Sequence, residues 1–260
     1  MSEPFAFGRD DATDGRPSRV PSATRSFWVL TVLTMGFGET ASDFLVGVAP
    51  APGLVLITVA VAGAMLALRI RGPRVAWVYW AATLAVSVAG ATGAGVLRRS
   101  LGLSDSLLSA ELAVVLGVVL LIWRRSEGTV AAGQVSTVRR ELYFWGAGLA
   151  TVALGTVVAD WTAVALQLGY VDSGIAFAAL LLLPVITRRA LGLDPVVAFW
   201  CAYVLARPLG ASLSDWIALP TGRGGLGSGD GPVALIELVV VGLLVARLRR
   251  CGIGGVVATR

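Results

Sequence analysis

Six carboxylates stand within apolar stretches of this chain, where charged side chains are rare. They are Glu39, Asp43, Glu111, Asp160, Asp215 and Glu237, and the one base clearly inside these stretches is Arg207. A carboxylate at the centre of a bilayer costs about 2.5 kcal/mol or more on insertion scales, so such groups face a partner, a water-filled cavity or an ion. Since Arg207 can pair with only one or two of the six, the others must be protonated, lie in water or hold a cation.

The chemistry that these residues could perform is the binding of a hard cation. The neighbouring hydroxyls of Thr40, Thr92, Ser212 and Ser214 add further oxygen ligands, and the chain contains no histidine and only two cysteines. Oxygen ligands suit Mg²⁺, Mn²⁺, Ca²⁺, Na⁺ or H⁺, whereas zinc and copper sites generally use nitrogen or sulfur. Three to four carboxylates favour a divalent ion.

We predict a metal site formed by four carboxylates, two of which are four residues apart and can share a helix face. These ligands are Glu39, Asp43, Asp160 and Asp215. The predicted supporting residues are Gly38, Thr40, Gly90, Thr92, Gly155, Gly210, Ser212, Arg207, Glu237 and Glu111. Other roles stay open, because Glu237 could pair with Arg207, Glu111 could be solvated, and the aspartates could lie at the outer interface.

The composition indicates that a membrane surrounds these groups. The chain has 260 residues, of which 56% are hydrophobic and 14% charged, with a mean hydropathy of +0.81. A soluble domain carries about 25% charged residues. The net charge of +5 could suggest nucleic acid, but the basic residues lie in short loops between apolar segments, which excludes that interpretation.

The elements that position the acids are predicted to be eight transmembrane helices, since a bilayer core needs about 20 apolar residues of helix. The segments lie at roughly 27–48, 53–70, 75–97, 106–123, 142–169, 173–187, 195–218 and 232–247. Residues 1–26 and 251–260 are predicted to be cytosolic tails, the first of them disordered, and no cleaved signal peptide is expected. Residues 27–250 would form a single transmembrane domain.

Arginines cluster in alternate loops, which predicts the orientation. They follow the second, fourth, sixth and eighth segments, while the opposite loops carry few, with Arg98 and Arg99 as the exception. The positive-inside rule therefore places both termini in the cytoplasm, and we expect a bacterial cytoplasmic membrane.

A four-fold internal repeat relates the acids to one another. An aromatic residue followed by tryptophan opens each odd segment, glycine follows ten residues after the tryptophan, and a further five residues lead to Asp43, Gly95, Asp160 or Asp215. The repeats span about 27–73, 75–125, 140–190 and 195–250. Each unit holds two helices, so the units are parallel, with pseudo-symmetry about the membrane normal. We expect the tryptophans to anchor at the membrane interface and the glycines to pack near the midplane.

The motifs "GETASDFL", "LGTVVADWTAVALQLGY" and "ARPLGASLSDW", each with its upstream aromatic–Trp pair, resemble a family of bacterial integral membrane proteins. Its members carry four tandem two-helix repeats marked by tryptophan, and its function is unknown. The resemblance implies eight helices and supplies no substrate. In that pattern the second repeat also tends to carry an acid, where this chain has Gly95 followed by Arg98 and Arg99.

The favoured function is secondary transport of a hard divalent cation, most specifically Mn²⁺ export against a proton or sodium ion, with Asp43, Asp160 and Asp215 all required. One alternative is a proton-coupled transporter of a small organic or amine solute, with a roomier cavity lined by Trp161 and Trp216. Another is a non-transporting scaffold or sensor. No motif indicates an enzyme or a permanently bound cofactor. The oligomeric state, a homo-oligomer included, stays open.

Overall fold

The computed structural model describes residues 18–71 and 76–250, and the predicted tails at 1–17 and 251–260 lie outside this part of the chain. The described residues are mostly helical. The helices are α1 (Arg25–Val48), α2 (Pro50–Arg71), α3 (Ala76–Leu101), α4 (Asp105–Glu127), α5 (Val138–Asp160), α6 (Gly169–Leu191), α7 (Pro195–Ala218) and α8 (Asp230–Arg250). The all-α, multi-pass class predicted from the sequence is confirmed.

Seven of these helices are long and apolar enough to cross a membrane. The exception among the described residues is α2, whose apolar segment Gly53–Ala67 is shorter. The predicted fifth segment, 142–169, lies four residues too far toward the C-terminus, because the apolar span is Val138–Ala165. In this span α5 ends at Asp160 and a π-helical turn, Trp161–Ala165, follows it. The chain then reverses at Gln167, whose φ of 57° is left-handed, and α6 begins earlier than predicted.

The odd-numbered helices form a closed central ring. In this ring α1 packs against α3, α3 against α5, α5 against α7, and α7 against α1. Each even-numbered helix lies outside and packs against the odd helix of the following repeat, so α2 contacts α3, α4 contacts α5, and α6 contacts α7. The contact of α8 with α1 closes the cycle. The four repeats are therefore arranged with cyclic pseudo-symmetry.

The repeat glycines lie where neighbouring helices of the ring approach most closely. A Cβ added at any of them would meet an atom of the next odd helix at less than a normal contact distance. The contacts are Gly38 with Ser87, Gly90 with Val152, Gly155 with the side chain of Arg207, and Gly210 with the carbonyl oxygen of Val32. Small residues permit such approach between membrane helices. The predicted packing role of the four glycines follows directly from this geometry.

The predicted interfacial role of the repeat tryptophans is wrong. Trp28, Trp80, Trp145 and Trp200 are at most 7% exposed and belong to the hydrophobic core. The aromatic residues that precede them meet inside the ring, where the Phe27 ring lies 6.5 Å from that of Tyr79 and 6.1 Å from that of Phe199. Phe144 lies 6.4 Å from Tyr79. These rings fill the N-terminal end of the central bundle, and we call Phe27, Tyr79, Phe144 and Phe199 the aromatic plug.

Residues 18–24, expected to be part of a disordered tail, instead pack against the linker between α4 and α5. Ser18 Oγ donates to the carbonyl oxygen of Ala132 at 3.0 Å, and the Arg19 guanidinium pairs with Glu141 at 2.5 Å. Val20 is buried. The linker itself is tied to the ring, since Trp200 Nε1 donates to the carbonyl oxygen of Val130 at 2.9 Å. This layer covers the end of the bundle that the aromatic plug fills.

Candidate functional site

A cavity of about 330 Å³ opens at the C-terminal end of the odd helices, opposite the aromatic plug. Its wall is strongly charged. Acidic residues on the wall are Glu39, Asp43, Asp105, Asp160 and Asp215, and basic ones are Arg98, Arg99 and Arg223. All four predicted metal ligands therefore line one cavity.

Three of the four predicted ligands converge. One carboxylate oxygen from each of Glu39, Asp43 and Asp215 lies within 4.8 Å of the other two. Opposite oxygens around a cation bound at 2.0–2.6 Å are about 4–5 Å apart, so these oxygens could share one ion after small side-chain movements. Glu39 and Asp215 are buried, whereas Asp43 is exposed to the cavity. We call these three residues the acidic cluster.

Arg207 supports the cluster from the buried side. Its side chain is fully buried, and Nη2 donates to Glu39 Oε2 at 2.5 Å and to Thr156 Oγ1 at 2.6 Å. Nη1 donates to the carbonyl oxygen of Met35. Arg207 thus joins α7 to α1 and α5 and pairs with Glu39, so the alternative pairing with Glu237 is wrong.

The charge balance of the cluster remains negative. Among the described residues, neither Asp43 nor Asp215 has an arginine within ion-pair distance, and Arg207 compensates only the charge of Glu39. Three carboxylates against one guanidinium leave two uncompensated acids when all are ionised. A cation or protons would supply the missing charge at this depth.

Asp160, the fourth predicted ligand, is held apart from the cluster. Its carboxylate pairs with the Arg98 guanidinium at 2.7 Å, and Arg98 also pairs with Asp105 at 3.0 Å. Asp160 ends α5 immediately before the π-helical turn, an element that occurs frequently at functional sites. Sequence reasoning missed the role of Arg98, although its position after Gly95 in the aberrant second repeat was a signal.

Glu237 lies behind the cluster and is held by hydroxyls from α1 and α7. Thr40 Oγ1 donates to Glu237 Oε2 at 2.9 Å, and Ser214 Oγ donates to Oε1 at 2.5 Å. Gly36 makes room for this carboxylate, because a Cβ added there would lie 2.7 Å from Oε1. Thr40 and Ser214 are thus engaged by Glu237 and do not line the cavity.

The remaining predicted residues lie outside the cavity wall. Thr92 shares a hydrogen bond of 2.8 Å with Ser42. The buried hydroxyl of Ser212 has no hydrogen-bond partner in the described structure. Glu111 is exposed on α4, away from the cluster, so a supporting role for it is wrong. Trp161 and Trp216 do not line the cavity either.

Sequence reasoning also missed several residues of the cavity wall. Thr156 donates to Glu39 Oε2 at 3.2 Å, and it stands one residue after the repeat glycine Gly155. Tyr170, in the first turn of α6, and Arg223, in the connection after α7, also line the cavity. No pattern pointed to these two, because both follow irregular connections whose course the repeat does not determine.

The second half of the chain matches a known family model. Residues 143–190 and 198–251 each match a repeat of unknown function (DUF347). These segments coincide with the third and fourth repeats predicted from the sequence, so the resemblance to a repeat family is confirmed over them. No curated protein and no solved structure matches the chain.

Proposed function

The chain is a multi-pass membrane protein whose second half matches this repeat of unknown function. From this premise we propose that it is a secondary transporter of a hard divalent cation. The most specific version of this proposal is an Mn²⁺ exporter. The observation that carries the proposal is the convergence of Glu39, Asp43 and Asp215 at a cavity open to one end of the bundle. All three ligands are carboxylates, which hard cations prefer.

One-sided access supports transport over a purely structural role. The cavity reaches the acidic cluster from one end, and the aromatic plug fills the other. Alternation between this conformation and one that opens through the aromatic plug would move an ion along the axis of the ring, from one end of the bundle to the other. Arginines after α4 and α6 lie at the plugged end, which by the positive-inside rule supports placing that end in the cytoplasm.

The cavity wall favours a cation over an organic solute. A volume of about 330 Å³ is at the lower limit of small-molecule pockets, and such pockets are mostly apolar. Here eight of the lining residues are charged, and Tyr170 is the one aromatic among them. This composition resembles an ion vestibule more than a site for an apolar or aromatic solute.

Cation binding by the purified full-length chain tests the proposal. Calorimetric titration with Mn²⁺, Mg²⁺, Ca²⁺ and Zn²⁺ should show saturable binding of a hard ion, with Mn²⁺ preferred. Asp215→Asn removes one charged ligand and should weaken binding by about tenfold or more, because affinity depends on the charge of the ligands. Flux of the bound ion into proteoliposomes should fall in parallel.

Asp172→Asn provides the matched control. Asp172 lies exposed in the first turn of α6, at the same end of the bundle but outside the cavity wall. The Asp172→Asn variant should bind and transport the cation like the wild type. Absence of binding by folded wild-type protein, or equal loss in the two variants, would reject the cluster as a transport site.

Binding should also weaken on acidification. Carboxylates must be deprotonated to bind a metal, so protons compete with the cation. We therefore expect a lower Mn²⁺ affinity at about pH 5.5 than at about pH 7.5, and release of protons on binding, measured by titration in buffers of different ionisation enthalpy. Affinity that is constant over this range, without proton release, would contradict proton exchange at the cluster.

A further inference from the structure

The second repeat presents arginine where the other repeats present aspartate. Gly95 occupies the position equivalent to Asp43, Asp160 and Asp215. The space beside it is taken by the guanidinium group of Arg99, since a Cβ added at Gly95 would lie 3.5 Å from Arg99 Nη1. Arg98, from the next turn, reaches across the cavity wall to Asp160. One corner of the ring is therefore cationic.

Arg98 binds two carboxylates on two other helices. Its Nη2 lies 2.7 Å from Asp160 on α5, and its Nε lies 3.0 Å from Asp105 on α4. The side chains of Arg98 and Asp160 are 34% and 25% exposed. Both side chains line the cavity, although the Arg98 Nε and Nη2 atoms that face the carboxylates are themselves buried. Neither nitrogen makes a hydrogen bond of normal geometry within the described part of the chain, so the ion pair is weak enough to exchange.

We propose that Arg98 is a tethered cation that competes with the transported ion for Asp160. This inference rests on the proposed function and concerns the same cavity. With Arg98 in place, Asp160 is neutralised and the ion is bound by the acidic cluster alone. When Arg98 releases it, Asp160 becomes available as a fourth carboxylate for the ion. Arg98 is thus a positioning residue that acts through Asp160.

The competition explains an asymmetry within the repeats. Asp43, Asp160 and Asp215 occupy equivalent positions, yet only Asp160 has an arginine partner in the described structure. A guanidinium is always charged, so it neutralises Asp160 whenever the ion is absent. The empty site would then keep fewer uncompensated acids at membrane depth, which lowers the free energy of the empty carrier relative to one without Arg98.

The test is a cation titration of Arg98→Gln in the full-length chain, using Mn²⁺ as the probe. Freeing Asp160 should tighten Mn²⁺ binding by roughly threefold to tenfold, as expected for the loss of a partly exposed ion pair and the gain of a carboxylate ligand. The gain should disappear in the double variant Arg98→Gln/Asp160→Asn. Arg223 also lines the cavity, so Arg223→Gln measures the general effect of removing a positive charge. It should tighten Mn²⁺ binding less than Arg98→Gln does.

A purely structural clamp gives a different result. Arg98→Gln would then lower the thermal stability and leave the Mn²⁺ affinity unchanged or weaker, which would overturn the inference. Equal tightening in the single and double variants would also overturn it. If Arg98→Gln does not fold, Arg98→Lys keeps the charge with a less well-matched pair and should show intermediate tightening. Wild-type protein that binds no cation would overturn the proposed function as well.

Discussion

Replacement of Arg207 by methionine should destabilise the bundle by about 3–5 kcal/mol, the range for removing one partner of a buried ion pair. The arginine is fully buried and donates to groups on α1 and α5, so its loss removes the polar link between three helices of the ring. It also leaves the buried carboxylate of Glu39 without a counter-charge. Unfolding in increasing mole fractions of a denaturing detergent measures the change.

Two further variants separate the charge effect from lost packing. Arg207→Met/Glu39→Gln removes both charges and should recover part of the lost stability, because no uncompensated carboxylate remains at position 39. Arg139→Met removes a surface arginine that is 65% exposed and pairs with Glu127 at 3.3 Å, and it should cost about 1 kcal/mol or less. If Arg207→Met unfolds no more readily than Arg139→Met, the link is not a major source of stability.

The helices and their repetition are predictable from the sequence because both depend on local pattern. Apolar length identifies seven of the spans, and the constant offsets from tryptophan to glycine to aspartate relate the odd helices to one another. A common offset along equivalent helices gives a common depth and a common face. Asp43, Asp160 and Asp215 accordingly all line one cavity.

Ion pairing could not be predicted in the same way. The partner of a long side chain depends on which helices are neighbours in the ring and on the direction in which the side chain extends. Arg207 pairs with Glu39 because α7 lies beside α1. Arg98 reaches Asp160 because α3 lies beside α5. The spacing of residues along one helix shows neither which helices are its neighbours nor where a long side chain extends. It therefore could not predict that Asp160 pairs with Arg98 while the other three acids form the cluster.

The tryptophans show a second limit of pattern reasoning. A tryptophan near the end of a membrane helix is typical of an interfacial anchor, but that rule concerns side chains that face lipid. Here each even helix packs against the odd helix of the next repeat and covers the ring. Trp123 of α4, for example, is completely buried and lies 6.0 Å from the ring of Trp200. Helix order along the chain did not indicate this arrangement.

Substitution of Gly210 by valine should prevent normal closure of the ring. A Cβ at this position would lie 2.6 Å from the carbonyl oxygen of Val32 and 2.8 Å from the backbone nitrogen of Gly36. Both are backbone atoms of α1, so no side-chain rotation relieves the clash and the two helices must separate. We expect a loss of about 3 kcal/mol or more, the upper range for overpacking, measured by the same denaturing-detergent titration.

Gly93→Val is the matched control, because Gly93 lies in α3 and a Cβ added there meets nothing within 4 Å. The two variants share the intrinsic penalty or gain of valine in a helix, so the difference between them isolates the contact of α7 with α1. That contact also sets the separation of Asp215 from Glu39 and Asp43. In whatever fraction of Gly210→Val remains folded, cation affinity should therefore fall, whereas Gly93→Val should bind normally. Equal stability of the two variants would show that the close approach at Gly210 does not hold the ring together.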